Sequence, residues 1–278
     1  MVFYMTGPPF MIKQFIASYF GTPFRDAIVT LGSYTVMVCE ILKTACTSRP
    51  RLGVVFSQLY EIGVRSLPLV CITGAATGMV LAAQSFFQLS DKGLTGTTGI
   101  MVAKSMLVEL GPILTSFMLT GRVGAAICAE LGSMRVTEQI DAMASMGANP
   151  LEYLVVPRYM SMLFMAPVLT IFSSACGIFG GWFIATQLYG MNSQAFFDPL
   201  PLYMNWFDMI SNVVKSTVFG MLVVSIACFR GMVAGGGAAG VGRATTSSVV
   251  ITYSSILIAN FLLTIFLNAS YWYIFGFN

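Results

Sequence analysis

Long runs of apolar residues dominate the pattern along this chain of 278 residues. A helix that crosses the ~30 Å hydrocarbon core of a bilayer needs about 20 mainly apolar residues. Five segments of the sequence meet this requirement: 66–89, 98–129, 159–189, 209–229 and 248–275. The pattern therefore predicts an all-α integral membrane protein with five transmembrane helices.

The segment that precedes these five, residues 24–47, has a different character. It begins with Arg25 and Asp26 and carries Glu40 and Lys43. Its uncharged run, residues 27–39, is too short to cross the hydrocarbon core. We therefore expect an N-terminal helix that lies in the interface or dips in and returns. A sixth full span is the alternative.

Basic residues are distributed unevenly between the two sides of the predicted spans. Short cytoplasmic loops of membrane proteins carry an excess of Lys and Arg. The arginines that fall on one side are Arg49, Arg51, Arg65, Arg135, Arg158, Arg230 and Arg243. The loops on the other side contain no arginine, and Lys104 and Lys215 lie in helix ends where they could snorkel to the interface. The N-terminus is therefore predicted to be cytoplasmic and the C-terminus to lie outside.

Composition excludes several classes of function. Hydrophobic residues make up 56 % of the chain and charged residues 9 %, against roughly 25 % charged in a soluble domain. The absence of histidine excludes His-based acid–base catalysis and most zinc sites. The six cysteines have no CxxC spacing, so we expect small buried apolar side chains rather than disulfides. No catalytic residue, cofactor, metal or nucleic-acid partner is expected, and the net charge of +3 is too small to suggest the last.

The loop between the second and third spans, residues 133–150, predicts a short amphipathic helix. Ser133 or Thr137 could cap its start, and Gly147 before Asn149 and Pro150 is a typical stop. One face carries Val136, Ile140, Met143 and Gly147, and another carries Glu138, Asp141 and Ser145. Anionic headgroups would repel the acidic face. A protein partner is therefore favoured over the alternative, a surface helix resting on headgroups.

Two glycine patterns also need an interpretation. Gly235, Gly237 and Gly240 match the spacing of a dinucleotide fingerprint, but a predicted span precedes them instead of a strand. They predict a tight cytoplasmic turn with Arg243 at headgroup level. No G-x-x-x-x-G-K-[ST] loop is present, so no nucleotide site is encoded. A GxxxG pattern (Gly177 with Gly181) and the series Gly121, Ala125 and Ala129 predict close helix packing, within the chain or in a dimer.

Glu109 stands about 12 residues into the second span, where a charge usually faces protein or a water-filled cavity. Pro112 follows shortly after and loosens the helix. We predict that Glu109 lines a cavity that holds lipid. The expected neighbours are Leu81, Gln84, Phe86, Phe87 and Leu110. The alternative is a protonated Glu109 that bonds a neighbouring helix.

The motifs of two blocks resemble the MlaE (YrbE) family of permeases, which work with MCE proteins in lipid transport. The resemblance covers the chain from about Gln58 onward. The motifs are Glu109-Leu-Gly-Pro112, Gly121-Arg-Val-Gly124, Ala129-Glu-Leu-Gly132, Thr137-Glu-Gln-Ile-Asp-Ala142, Met146-Gly-Ala-Asn-Pro150, Tyr153-Leu-Val-Val-Pro-Arg158 and the glycine-rich run 236–246. A basic residue often precedes the family's Glu, but Val108 stands there in this chain, so no local ion-pair partner of Glu109 is evident.

The resemblance implies a non-enzymatic permease subunit of an ATP-binding-cassette transporter of the bacterial inner membrane. It implies a homodimer that moves phospholipid between the inner and outer membranes, with cytoplasmic ATPase subunits and an MCE-domain protein. Residues 1–60 would be an N-terminal segment and 61–278 the permease domain. The loop helix would be the ATPase-coupling helix, with Glu138, Gln139, Asp141, Met143 and Met146. The alternatives are a self-sufficient secondary transporter or channel, and an intramembrane enzyme, and neither repeats nor paired membrane aspartates support them.

Overall fold

A computed structural model describes residues 22–47, 52–91 and 93–276, and within these ranges no residue lies in a β-strand. Arg49, Arg51 and Lys92 lie outside the described residues. The helices are α1 (Thr22–Thr47), α2 (Leu52–Leu59), α3 (Leu67–Ser90), α4 (Thr98–Ser105), α5 (Gly111–Leu119), α6 (Ala125–Val136), α7 (Gln139–Ser145), α8 (Val156–Gln187), α9 (Ser193–Phe197), α10 (Leu200–Tyr203), α11 (Trp206–Met232) and α12 (Gly237–Phe275). The predicted all-α architecture is confirmed.

Short π-helical turns connect several of these helices into longer rods. They are Tyr60–Val64 between α2 and α3, Met106–Leu110 between α4 and α5, Thr120–Gly124 between α5 and α6, and Leu151–Val155 before α8. A π-turn inserts one extra residue and often marks a functional position in a helix. The second predicted span is therefore an interrupted rod instead of one regular helix.

Six described segments are long and apolar enough to cross a membrane. They are Ile28–Ala45, Gly53–Ser90, Thr95–Val136, Leu151–Gln187, Trp206–Met232 and Gly237–Tyr273. The last five overlap the five predicted spans. The predicted third and fifth spans end two residues later than these segments do, at 189 and 275, and each of the five segments begins before the predicted start. Arg65, for example, lies within the rod that joins α2 and α3, where it pairs with Glu61 at 2.6 Å.

The N-terminal helix α1 is a continuous helix of 26 residues, longer than its uncharged run suggested. Tyr34 shares a 2.7 Å hydrogen bond with Ser225, and its ring packs edge-on against Phe229. Both partners belong to the last eight residues of α11. Other positions of α1 expose apolar residues, such as Val29 and Val36. Its segment Ile28–Ala45 has the length and apolarity that the alternative, a sixth span, requires, and the interfacial placement stays a prediction.

Close packing of α3 against α8 accounts for the GxxxG pattern. A Cβ added at Gly78 would lie 1.8 Å from the Gly177 carbonyl oxygen, and one at Gly74 would lie 2.5 Å from the Ser173 carbonyl oxygen. A Cβ added at Gly181 would lie 3.2 Å from the Gly78 carbonyl oxygen. The intramolecular interpretation of this pattern is therefore correct.

Helix α11 lies at the centre of the bundle, and α12 lies at its edge. Buried residues make up 67 % of the apolar segment of α11 but only 11 % of that of α12. Phe219 and Val223 of α11 are fully buried. Cys128 and Cys228 are buried and free, as predicted, whereas Cys39 is exposed on α1. Because α11 is so deeply buried, its polar side chains must find partners inside the protein.

Candidate functional site

The π-turn Met106–Leu110 and the proline after it leave backbone acceptors without helical partners. The N–H of Gly111 bonds to the Met106 carbonyl instead of the Leu107 carbonyl four residues before it. Pro112 has no N–H to offer the Val108 carbonyl. Two consecutive carbonyl groups therefore need donors from elsewhere, since unsatisfied backbone groups are unfavourable in a membrane.

Helix α11 supplies both donors. Asn212 Nδ2 lies 2.6 Å from the Leu107 oxygen, and Lys215 Nζ lies 3.1 Å from the Val108 oxygen. The two side chains come from adjacent positions on one face of α11, three residues apart. Both residues have only 1 % of their surface exposed. The polar face of α11 therefore supplies the donors that the π-turn Met106–Leu110 lacks.

Lys215 also forms an ion pair with Glu109, whose carboxylate joins three helices. Lys215 Nζ lies 2.7 Å from Glu109 Oε1, and Thr264 Oγ1 lies 3.1 Å from the same oxygen. Asn260 Nδ2 donates to Glu109 Oε2 at 3.1 Å, and Lys215 donates to Thr264 at 2.8 Å. Asn260 and Thr264 are four residues apart on one face of α12. We call Glu109, Lys215, Asn260 and Thr264 the polar centre.

Burial of the ion pair is strongly asymmetric. The Lys215 side chain is 1 % exposed, and the Glu109 side chain is 35 % exposed. The prediction that Lys215 snorkels to the interface is therefore wrong, because its ammonium is held inside by three acceptors. Glu109 does bond neighbouring helices, as the alternative interpretation expected, but it does so opposite a lysine. Its open side leaves an acceptor that a polar group of a ligand could reach.

The structure divides the predicted neighbours of Glu109 into two groups. Leu81 and Leu110 pack against one small core that contains Val102 and Met106. The second group lies near the end of α3, where Phe86 stacks on Tyr189 at 4.7 Å and Phe87 meets the same ring edge-on at 5.2 Å. Gln84 is exposed. Leu110 is adjacent to Glu109 in sequence, and the hydrogen bonds of Glu109 all point to α11 and α12.

The predicted loop helix is present as α7. Its apolar face is directed inward through Ile140, which is 4 % exposed, with Met143 half-buried. Gly147 ends the helix in the left-handed conformation, with φ of +79°. The predicted cap is wrong. Thr137 donates to the Ser133 carbonyl in the helix before, and the N-cap position is Glu138, at φ of +59° without a capping side-chain bond.

The remaining predicted coupling residues are presented to solvent. Met146 is 78 % exposed, and the others that are exposed are Glu138, Gln139 and Asp141. Asp141 forms an ion pair with Arg135 of the preceding helix. The helices on either side of α7 are also tied together, because Arg158 of α8 pairs with Glu130 of α6 at 2.9 Å. These ion pairs therefore fix α7 to α6 and α6 to α8, while the polar face of α7 is exposed to solvent.

The glycine-rich run forms the tight turn that the sequence predicts. Gly236 and Gly237 adopt φ values of +83° and +71°, which side chains rarely adopt. A Cβ on Gly240 would lie 1.7 Å from the Gly235 carbonyl oxygen. The run follows helix α11 and opens helix α12, so the strand that a dinucleotide fingerprint requires does not precede it.

Sequence reasoning missed Lys215, Asn260 and Thr264 as partners of Glu109. A signal was present for Lys215, since Asn212 stands one turn before it and Ser216 follows, which gives α11 a polar face in an apolar span. Asn260 and Thr264 are four residues apart in the most apolar helix, and this spacing also indicates a shared polar contact.

The comparisons with known proteins agree with this architecture. The sequence model of the family described as Permease MlaE matches residues 55–266. A probable ABC transporter permease protein of Rickettsia conorii is 38 % identical over 235 residues, which is 84 % of this chain and 91 % of that protein. A probable ABC transporter permease protein of Synechocystis is 38 % identical over 74 % of this chain and 79 % of its own length. The intermembrane phospholipid transport system permease protein MlaE of Haemophilus influenzae is 32 % identical over 91 % of this chain and 97 % of its own length.

Proposed function

Because the chain belongs to the MlaE permease family, we propose that it is the membrane subunit of an ATP-binding-cassette transporter that moves phospholipid between the inner and outer membranes. The observation that carries the proposal is the match of the family over residues 55–266, which includes the polar centre, α7 and most of α12. The phospholipid part is supported by the name of the Haemophilus relative. The names of the Rickettsia and Synechocystis relatives support an ABC permease.

Energy for transport comes from a separate cytoplasmic ATPase that docks on α7. The support is the exposed face of α7, where Glu138, Gln139 and Asp141 contact solvent, and the exposed methionine Met146. Acidic and apolar groups on a short braced helix suit a protein surface of basic and apolar character. The chain functions as a homodimer in the inner membrane, and an MCE-domain protein receives or delivers lipid on the outer side.

The lipid is held next to the polar centre. The exposed third of the Glu109 side chain offers an acceptor to a polar headgroup. The side chains that would contact acyl chains are Leu81, Leu110, Phe86 and Phe87, and Gln84 on α3 is exposed beside them in sequence. A mixture of a few fixed polar groups and many apolar ones is typical of ligand sites. Lys215 keeps Glu109 in place and neutralises it, which lowers the penalty for a charge at this depth.

A self-sufficient secondary transporter is the second candidate. The buried Lys215, which gives the chain a second intramembrane charge, favours it. The two functions differ in their requirement for a partner, since only the ABC permease depends on an ATPase.

Co-purification from native membranes tests the proposal. The tagged chain in mild detergent should retain an ATPase subunit, an MCE-domain protein and phospholipid, identified by mass spectrometry. A second multi-pass membrane protein with the same tag is the control for non-specific capture. Recovery of the chain without any ATPase, from membranes where the ATPase is expressed, would contradict the proposal.

A further inference from the structure

Two arginines, Arg230 and Arg243, lie at the cytoplasmic end of α11 and the beginning of α12. Residues 209–278 contain neither Asp nor Glu. Within the part of the chain that the structure describes, Arg65, Arg135 and Arg158 each pair with a carboxylate. Arg230 and Arg243 form no such ion pair with the described residues. This end of the two helices therefore has an excess of positive charge.

The guanidinium group of Arg230 has a hydrogen-bond donor without an acceptor, in addition to its charge. Its Nη2 group donates to Ser247 of α12. Its Nε atom is buried and has no hydrogen-bond partner among the described residues. A buried donor without an acceptor is unfavourable. An anionic group bound here would supply the missing acceptor.

The two arginines line one cavity beside the glycine-rich turn. The cavity has a volume of 270 Å³, and Ser247 and Gly235 also contribute to its wall. The Arg243 guanidinium lies against the turn, with Nη2 3.5 Å from the position that a Cβ on Gly236 would occupy. Two guanidinium groups around one cavity suit the oxygen atoms of a phosphate group.

A second cavity, of 130 Å³ and with a mainly apolar wall, shares Arg230 with the first. Leu31 and Tyr34 of α1 form one wall of it, and Phe229 and Ile251 form the opposite wall. The first cavity offers two guanidinium groups to a headgroup phosphate, and the second offers apolar side chains to an acyl chain.

We propose that this junction binds an anionic phospholipid of the cytoplasmic leaflet. Its phosphate lies between Arg230 and Arg243, and the upper part of one acyl chain enters the apolar cavity beneath α1. Basic pockets between helices on the cytoplasmic side recognise anionic headgroups. The site is distinct from the polar centre, because Arg230 follows Lys215 on α11 by fifteen residues, or about 22 Å of helix. It does not depend on which lipid is transported.

Native mass spectrometry of the purified, delipidated full chain tests the proposal. The probes are palmitoyl-oleoyl phosphatidylglycerol and the phosphatidylcholine with the same chains. We expect the chain to bind phosphatidylglycerol about tenfold more tightly. The double variant Arg230→Gln/Arg243→Gln should lose this preference, and Arg243→Gln alone, at an exposed residue, should lose part of it. The control Arg65→Gln/Arg135→Gln removes the same charge from carboxylate-paired arginines and should retain the preference.

Two further arms separate the sources of the anionic group. Leu31→Trp changes no charge at a residue that is 63 % exposed, and by filling the apolar cavity it should weaken phosphatidylglycerol binding. Millimolar glycerol 3-phosphate should not displace the lipid. Displacement by glycerol 3-phosphate would indicate a site for soluble phosphates, and displacement by an ATPase subunit would indicate a site for acidic protein groups. Either result, or an equal loss in both double variants, would overturn the proposal.

Discussion

Lys215 Nζ lies 2.7 Å from Glu109 Oε1, although 106 positions separate the two residues in sequence. The contact joins the π-turn Met106–Leu110 to the buried face of α11, and α12 completes it through Thr264 and Asn260. Three helices of the membrane domain therefore share one polar centre. A change in the packing of any of the three helices would therefore alter the hydrogen bonds of Glu109.

The first prediction concerns the two partners of this ion pair. Lys215→Met should destabilise the protein more than Glu109→Gln, because lysine also satisfies the Val108 carbonyl. Removing one partner of a buried pair costs about 3–5 kcal/mol, and the partial exposure of Glu109 reduces this. Thermal unfolding in detergent, followed by intrinsic fluorescence, measures the effect.

The matched control is Lys104→Met, at an exposed lysine on α4. It should change the midpoint of unfolding little. The double variant Glu109→Gln/Lys215→Met should recover part of the loss, since it leaves no unpaired charge. If Lys215→Met and Lys104→Met unfold at the same temperature, the ion pair does not stabilise the fold.

The second prediction concerns the packing of α3 against α8. Gly78→Ala would place a Cβ 1.8 Å from the Gly177 carbonyl oxygen, so the helices must separate. Overpacking of this kind typically costs about 1–3 kcal/mol, sometimes more. Gly32→Ala is the control, because a Cβ there has no atom within 4 Å. A Gly78→Ala protein as stable as Gly32→Ala would contradict the described helix contact.

How much of this could be predicted depends on the range of the interactions involved. The spans, α7 and the turn at Gly236 follow from local patterns of hydrophobicity and from glycine, which act over a few residues. The partner of Glu109 could not be found in this way, since Val108 stands where a local basic residue was expected and Lys215 lies three predicted elements later. The predicted capping residue of α7 is wrong, because the Thr137 hydroxyl donates to the Ser133 carbonyl of α6 instead.

The third prediction concerns α7, the proposed coupling helix. Charge reversal in Glu138→Lys/Asp141→Lys should weaken association with the ATPase and abolish transport, while the permease stays folded and inserted. Asp141 loses only its exposed contact with Arg135, and such surface pairs contribute about 0–1 kcal/mol. Pull-down of the ATPase by the tagged permease measures the effect.

The control for that variant is Asp91→Lys/Asp198→Lys, which reverses two exposed charges that are predicted to lie on the opposite side of the membrane. It should capture the ATPase as well as the wild type does. Retention of the ATPase at wild-type level by Glu138→Lys/Asp141→Lys would show that α7 is not the coupling element.

The fourth prediction concerns the proposed lipid site near Glu109. Photocrosslinking side chains at Leu81, Phe87 and Leu110 should give lipid adducts, whereas one at Phe261 on α12 should not. Phe87 and Phe261 are similarly exposed, at 61 % and 64 %, so they form a matched pair. Uniform labelling of all four positions would indicate ordinary contact with the bilayer and would contradict the proposed lipid site.

The most direct test of the central proposal is ATP-dependent lipid transfer in proteoliposomes that contain this chain with the proposed ATPase and MCE-domain partners. Fluorescent phospholipid should move to acceptor vesicles only when ATP is hydrolysed, and an ATPase subunit with an inactivated catalytic site should abolish the transfer. The chain alone should neither hydrolyse ATP nor transfer lipid, because its sequence encodes no phosphate-binding loop. Lipid transfer at an undiminished rate without the ATPase, or ATP hydrolysis by the chain alone, would contradict the account.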